Sequence, residues 1–121
     1  GLHYQIPPYE EAKLVRCTRG KVFEVIVDLR KNSKTFLQWD SIELDSQDYR
    51  MLFVPEGFAL GLQTLEDNTE VCYQMSQLYN PEYFRGIIWN DKTLKITWPL
   101  KPSVISEKDS NLKPLQSEAL I

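Results

Sequence analysis

Short apolar runs with a two-residue alternation, separated by polar turns, recur along most of this chain. After Pro7-Pro8-Tyr9, which interrupts regular structure, residues 13–30 read as two strands punctuated at Gly20. In the second strand Phe23, Val25, Val27 and Leu29 share one face, and Val22, Glu24, Ile26 and Asp28 share the other. The face carrying Glu24 is mixed, which predicts a strand lining a polar cavity or facing solvent. Phe58–Leu62 is a short apolar run whose Gly61 permits close backbone approach, and strands are also predicted over Thr35–Leu44, Arg50–Val54 and Glu70–Tyr79. Within the last of these, Val71, Tyr73 and Met75 alternate against Glu70, Cys72 and Gln74. Asn80-Pro81-Glu82 predicts a loop or a single helical turn, and two short apolar pieces, 86–89 and 94–98, flank Asn90-Asp91. From Pro99 onward the composition turns polar and predicts a loop-rich tail. Short strands with turns every 8–12 residues or so, and no competing amphipathic helix, predict an all-β sandwich, barrel or jelly roll.

At 121 residues and 42% hydrophobic composition, the chain is expected to form one domain, 1–121, with one packed core. The formal charge of −3 is spread over interspersed acids and bases without a basic block, which argues against a nucleic-acid partner. No apolar run approaches the roughly 18 residues that span a bilayer, and no leader pattern is visible. A soluble, cytoplasmic protein without a membrane partner is expected. Cys17 and Cys72 each sit in an apolar, strand-like run, where reduced, buried thiols are expected. With one histidine and no paired spacing of His, Cys or carboxylate, a metal site is not expected.

That histidine, His3, is the first candidate for acid-base chemistry, because an unperturbed imidazole titrates near 6.5. Taken alone it reads more readily as a solvated or hydrogen-bonded structural histidine. Read singly, Lys13 is an ordinary strand lysine, Asp109 a solvated charge, Tyr73 a core aromatic and Tyr79 an aromatic beside a turn. Taken together and in order, however, Gly1-Leu2-His3-Tyr4-Gln5, Lys13-Leu14-Val15-Arg16, Gly20-Lys21-Val22-Phe23-Glu24-Val25, Pro55-Glu56-Gly57-Phe58-Ala59, Arg85-Gly86-Ile87, Trp89-Asn90-Asp91 and Ser106-Glu107-Lys108-Asp109 closely resemble the dTDP-4-dehydrorhamnose 3,5-epimerase family.

The resemblance implies a cupin-like jelly roll, usually a homodimer, acting without a cofactor on a nucleotide-linked 4-keto-6-deoxy sugar of the dTDP type, in deoxysugar biosynthesis. By motif it implies His3 as general base, Asp109 as the carboxylate orienting it, Lys13 as the stabiliser of an enolate oxygen and Tyr73 as the acid. Gln5, Glu24 and Tyr79 fall at substrate-binding positions. Family members carry a further N-terminal portion before Gly-Leu-His; either this chain is a piece of a longer epimerase or it is a naturally short relative, and in the second case a partner chain is expected to cover the exposed sheet edge. Two positions depart from the pattern. Leu60 replaces a histidine, and Glu24 replaces an aspartate one methylene shorter, which would re-aim a carboxylate near Lys13. These departures leave open a nucleotide-sugar-binding cupin with little or no turnover, and an epimerase that inverts one carbon only.

Overall fold

Alternation becomes eight strands, β1 (Leu2–Gln5), β2 (Lys13–Arg19), β3 (Lys21–Asp28), β4 (Trp39–Asp45), β5 (Met51–Val54), β6 (Phe58–Thr64), β7 (Glu70–Met75) and β8 (Phe84–Ile87), followed by one helical turn, α1 (Glu107–Ser110). The computed structural model describes residues 1–115; the remainder of the predicted tail, 116–121, lies outside the described residues. All pairings are antiparallel. They form a five-stranded sheet ordered β4-β3-β6-β1-β8 and a three-stranded sheet ordered β5-β2-β7.

Between the sheets lies a core of Val15, Cys17, Val22, Leu44, Val54 and Leu60. A second core, built on Leu2, Tyr4, Val25, Val27, Leu29, Ala59, Ile87 and Leu94, covers the opposite face of the five-stranded sheet. The segment after β8 closes this second core, with Ile96, Trp98 and Leu115 packed against it. Ile96 and Trp98 come from the apolar piece 94–98, and Leu115 is the contribution of the polar stretch beyond Pro99. Strand β3, between β4 and β6, is buried on both faces; its mixed face meets the inter-sheet core and not solvent, and the fully buried Glu24 borders a small cavity there with Asp40 and Ser41.

Two other expectations, on Thr35 and on Cys72, are corrected. The strand predicted from Thr35 begins at Trp39, because residues 35–38 turn around the end of β3: Leu37 adopts φ 63°, and its amide donates to the Asp28 carbonyl. The buried Asp91 carboxylate accepts from the Thr93, Leu94 and Leu115 amides and holds a turn over 92–94, after which the apolar piece runs on without regular structure. Cys72 is exposed, because its neighbour across β2, Arg16, lies on the outer face of the three-stranded sheet; Cys17 is buried as expected.

The end of β3 is pinned by Asp28, whose carboxylate accepts from the Arg30 backbone and guanidinium and from the Ser33 and Thr35 hydroxyls. The Arg30 hydrogen bonds, with help from the two hydroxyls, hold this carboxyl well below the usual carboxylate range. Asp28→Ala should lower stability by about 2 kcal/mol, a Tm fall of roughly 8 °C, because charge-assisted bonds of this type are among the stronger ones. A depressed carboxyl stabilises the fold only where the unfolded chain is already ionised. Thermal melts at decreasing pH should therefore show the gap between wild type and variant closing below about pH 4.

Candidate active site

Strand alternation sends Leu2 and Tyr4 of β1 into the outer core, which turns His3 the other way, toward the three-stranded sheet. Gly86, opposite His3 on β8, makes room for what closes over it: a Cβ there would stand 2.7 Å from Leu112 and 3.4 Å from the His3 ring. The segment held this close carries α1 and with it Asp109. Ser106 caps the turn by accepting from the Asp109 amide, and Asp109 Oδ1 lies 2.8 Å from His3 Nε2. The Gly1 backbone nitrogen lies 3.2 Å from Oδ2.

This pairing sets the state of both groups. Burial lowers the His3 pKa and outweighs the raising effect of Asp109, so the neutral ring prevails near pH 7. For Asp109 burial acts upward, but the hydrogen bond and charge of His3 outweigh it and hold the carboxyl below its ordinary value. An ionised Asp109 accepts the hydrogen on Nε2, which leaves the basic lone pair on Nδ1.

His3, Lys13, Leu60, Tyr73, Met75, Tyr79, Phe84 and Asp109 line one cleft of about 510 Å³, within the range of small-molecule sites. Its walls come from different sheets. His3 belongs to the five-stranded sheet, whereas Lys13 and Tyr73 are inward-facing residues of the three-stranded sheet. Lys13 is buried; its ammonium lies 3.6 Å from a Glu11 oxygen and donates to the His3 carbonyl at 3.4 Å. Burial lowers its pKa, opposed by the carboxylate of Glu11. Burial, with the nearby Glu24, raises the Tyr73 pKa and keeps the phenol protonated. Tyr73 is partly exposed to the cleft, not packed as a core aromatic.

Near one end of the cleft Tyr79 and Phe84 meet edge to face at 5.5 Å, and the Lys108 ammonium stands 4.5 Å from the Phe84 ring centre. Of the positions assigned by motif, His3, Lys13, Tyr73, Tyr79 and Asp109 converge here, while Gln5 and Glu24 do not line the cleft. Gln5 is buried and its amide is committed to the backbone, donating to Tyr9 and Leu78 and accepting from Asn80. Glu24 stands behind the wall, between Ile42 and Leu62. Residue-by-residue reading missed Glu11, Phe84 and Lys108. Lys108 was legible only as the neighbour of Asp109 in Ser-Glu-Lys-Asp, and nothing in the sequence tied Glu11 to Lys13.

Comparison with known proteins agrees with this geometry. The dTDP-4-dehydrorhamnose 3,5-epimerase family matches residues 1–117. The Shigella flexneri enzyme of that name is 46% identical over 111 residues, which cover 92% of this chain and 61% of the relative. The chain thus spans about three-fifths of that protein's length. A Bacillus anthracis dTDP-4-dehydrorhamnose 3,5-epimerase solved with TDP and PPi bound superposes with a TM-score of 0.92 at 43% identity, covering 95% of this chain and 66% of that one. A Legionella pneumophila dTDP-6-deoxy-D-glucose-3,5-epimerase in complex with dTDP-4-keto-L-rhamnose gives 0.91 at 37% identity, covering 99% and 65%. The cupin-like jelly roll, the collinear motifs and the extent of these matches leave one conclusion: the chain belongs to the dTDP-4-dehydrorhamnose 3,5-epimerase family.

Proposed function

We propose that the cleft epimerises a dTDP-linked 4-keto-6-deoxy sugar at one or both carbons flanking the ketone. The observation that carries this reading is the origin of its acid and base on opposing sheets, a neutral imidazole on one and a protonated phenol on the other. Inversion needs that arrangement, because the proton must leave one face of the ring and return to the other.

His3 Nδ1 takes the proton from the carbon beside the ketone, and the electron pair of that C–H bond moves through the new C=C bond onto the ketone oxygen. Asp109 stabilises the imidazolium that forms. The Lys13 ammonium, itself buried, stabilises the enolate oxygen, a charge that develops only during reaction. Tyr73 then gives its phenolic proton to the opposite face of the carbon; solvent restores the phenol and removes the proton from His3. At the cleft end, the Tyr79–Phe84 pair supplies an aromatic platform for the nucleotide base, and Lys108 supplies positive charge for the diphosphate.

The reading extends to assembly and location. Met51 and Phe53 are exposed large apolar side chains on β5, an edge strand, which supports a homodimer formed across this face. Two unpaired cysteines among the described residues suit a reducing, cytoplasmic compartment. Among the described residues no helix is long and apolar enough to cross a membrane.

The test is proton NMR of dTDP-4-keto-6-deoxyglucose with the protein in deuterated water. Loss of both the C3 and C5 signals is the expected result, loss of one identifies a single-carbon epimerase, and no loss above a protein-free control would overturn the reading in favour of a binding protein. Tyr73→Phe should leave deuterium exchange within about tenfold of wild type while lowering formation of the inverted product by roughly 10²-fold. Equal loss of both would remove Tyr73 from its role as acid.

A further inference from the structure

Two buried carboxyls flank the single buried ammonium of the cleft wall. Glu11 lies 3.6 Å from Lys13 through one oxygen, while its other oxygen has no hydrogen-bond partner. Glu24 is fully buried, and neither of its oxygens has a partner. With both carboxyls ionised, the group Lys13, Glu11 and Glu24 would hold an uncompensated negative charge between the sheets, an arrangement proteins avoid by neutralising one member. The two are not equivalent. Glu11 contacts the ammonium and borders the cleft, whereas Glu24 lies between the apolar Ile42 and Leu62 and its oxygens have no hydrogen-bond partner.

We infer that Glu24 is a positioning residue: it holds a proton in the working protein, leaves Lys13 paired with Glu11 alone, and so keeps the ammonium turned toward the cleft. The consequence in the cleft rests on the epimerase reading, but the proton on Glu24 does not. Lys13 has three N–H donors. One points to Glu11, one donates to the His3 carbonyl, and the third remains for the substrate oxygen. An ionised Glu24 would compete for the ammonium and draw it back between the sheets. Burial pushes the Glu24 carboxyl up to about 8, with the Lys13 charge opposing, in line with the geometric argument. The titratable groups facing it are Lys13 and Cys17 of β2 and Tyr73 of β7. From β4, Asp40 borders the small cavity of about 210 Å³ that Glu24 also lines; β6 presents Leu62.

The sign of the pH effect follows. Between about pH 4.5 and 8 the unfolded chain has released this proton while the folded chain keeps it, so stability falls as pH rises and levels off above about 8. Glu24→Gln removes the titration, and Glu24→Met does so with an apolar side chain of similar size if Gln folds poorly. Thermal melts without ligand from pH 5 to 9 should show a variant gaining on wild type by roughly 10 °C across that window. In the same pH series, wild-type deuterium exchange into dTDP-4-keto-6-deoxyglucose should fall about tenfold per pH unit above 8, and the variant should move this limb up by at least about one unit. Melting curves that stay parallel would overturn the inference whatever the exchange rates show, as would an alkaline limb that neither variant moves. A gain in melting temperature with no exchange in any protein would support the proton on Glu24 and place the failure in the epimerase reading.

Discussion

His3→Ala is expected to reduce deuterium exchange at the carbons flanking the ketone by about 10³-fold, within the range that positioned acid-base catalysts supply. The imidazole is a base that is neutral near pH 7, partly exposed to the cavity and already oriented, through the 2.8 Å contact with Asp109. Because the ring is only partly buried, its removal should leave the melting temperature within a few degrees of wild type. Asp109→Ala should reduce exchange less, since the ring stays in place. It also carries a signature in pH. Asp109 raises the His3 pKa, so its loss should move the acid limb of the exchange profile to lower pH while lowering the plateau. An His3→Ala protein that exchanges like wild type would remove His3 from the mechanism.

Lys13→Met is expected to fail twice. Exchange should drop by about 10²–10³-fold, the usual loss when a preorganised group facing an oxyanion is removed. Stability should fall by about 3–5 kcal/mol, because Glu11 remains buried opposite an uncharged side chain. The double variant Lys13→Met/Glu11→Gln separates the two losses. Neutralising Glu11 should restore most of the melting temperature without restoring exchange. If exchange returned with stability, Lys13 would be a structural counter-ion and not the stabiliser of the enolate. Melts and single-turnover exchange on the two variants settle the matter.

Both experiments turn on contacts of very different legibility. The strands were readable because each needs only a local period: β2, β3 and β7 emerge from alternation between turn residues, and Gly20, at φ 79°, marks the β2–β3 turn by the one residue that adopts this backbone without strain. Their ends were less so. Thr35 and Leu37 have strand-like side chains, but Asp28 recruits this segment into a turn, and no periodicity reports a hydrogen bond to a carboxylate seven residues away. Family motifs placed His3, Lys13, Tyr73, Tyr79 and Asp109 in one cleft, and their order along the chain was enough to do so.

What the sequence by itself determined is the all-β class, the alternating faces and the identity of the groups able to move a proton, because these depend on residue type and short-range spacing. Tertiary structure alone decided how those groups behave. His3 and Asp109 are separated by most of the chain, and their contact exists because the segment carrying α1, which reads as a polar tail, packs over β1 and β8 on the face that presents His3, with Leu112 against Gly86. Gln5 has the composition of a ligand-binding residue, yet the loops at 9 and 78–80 use up its amide. Glu24 occupies a face that reads as half polar, and packing of the second sheet converts it into a buried acid without a donor. Charge and protonation follow from burial and from partners distant in sequence, and both come into being only when the two sheets meet.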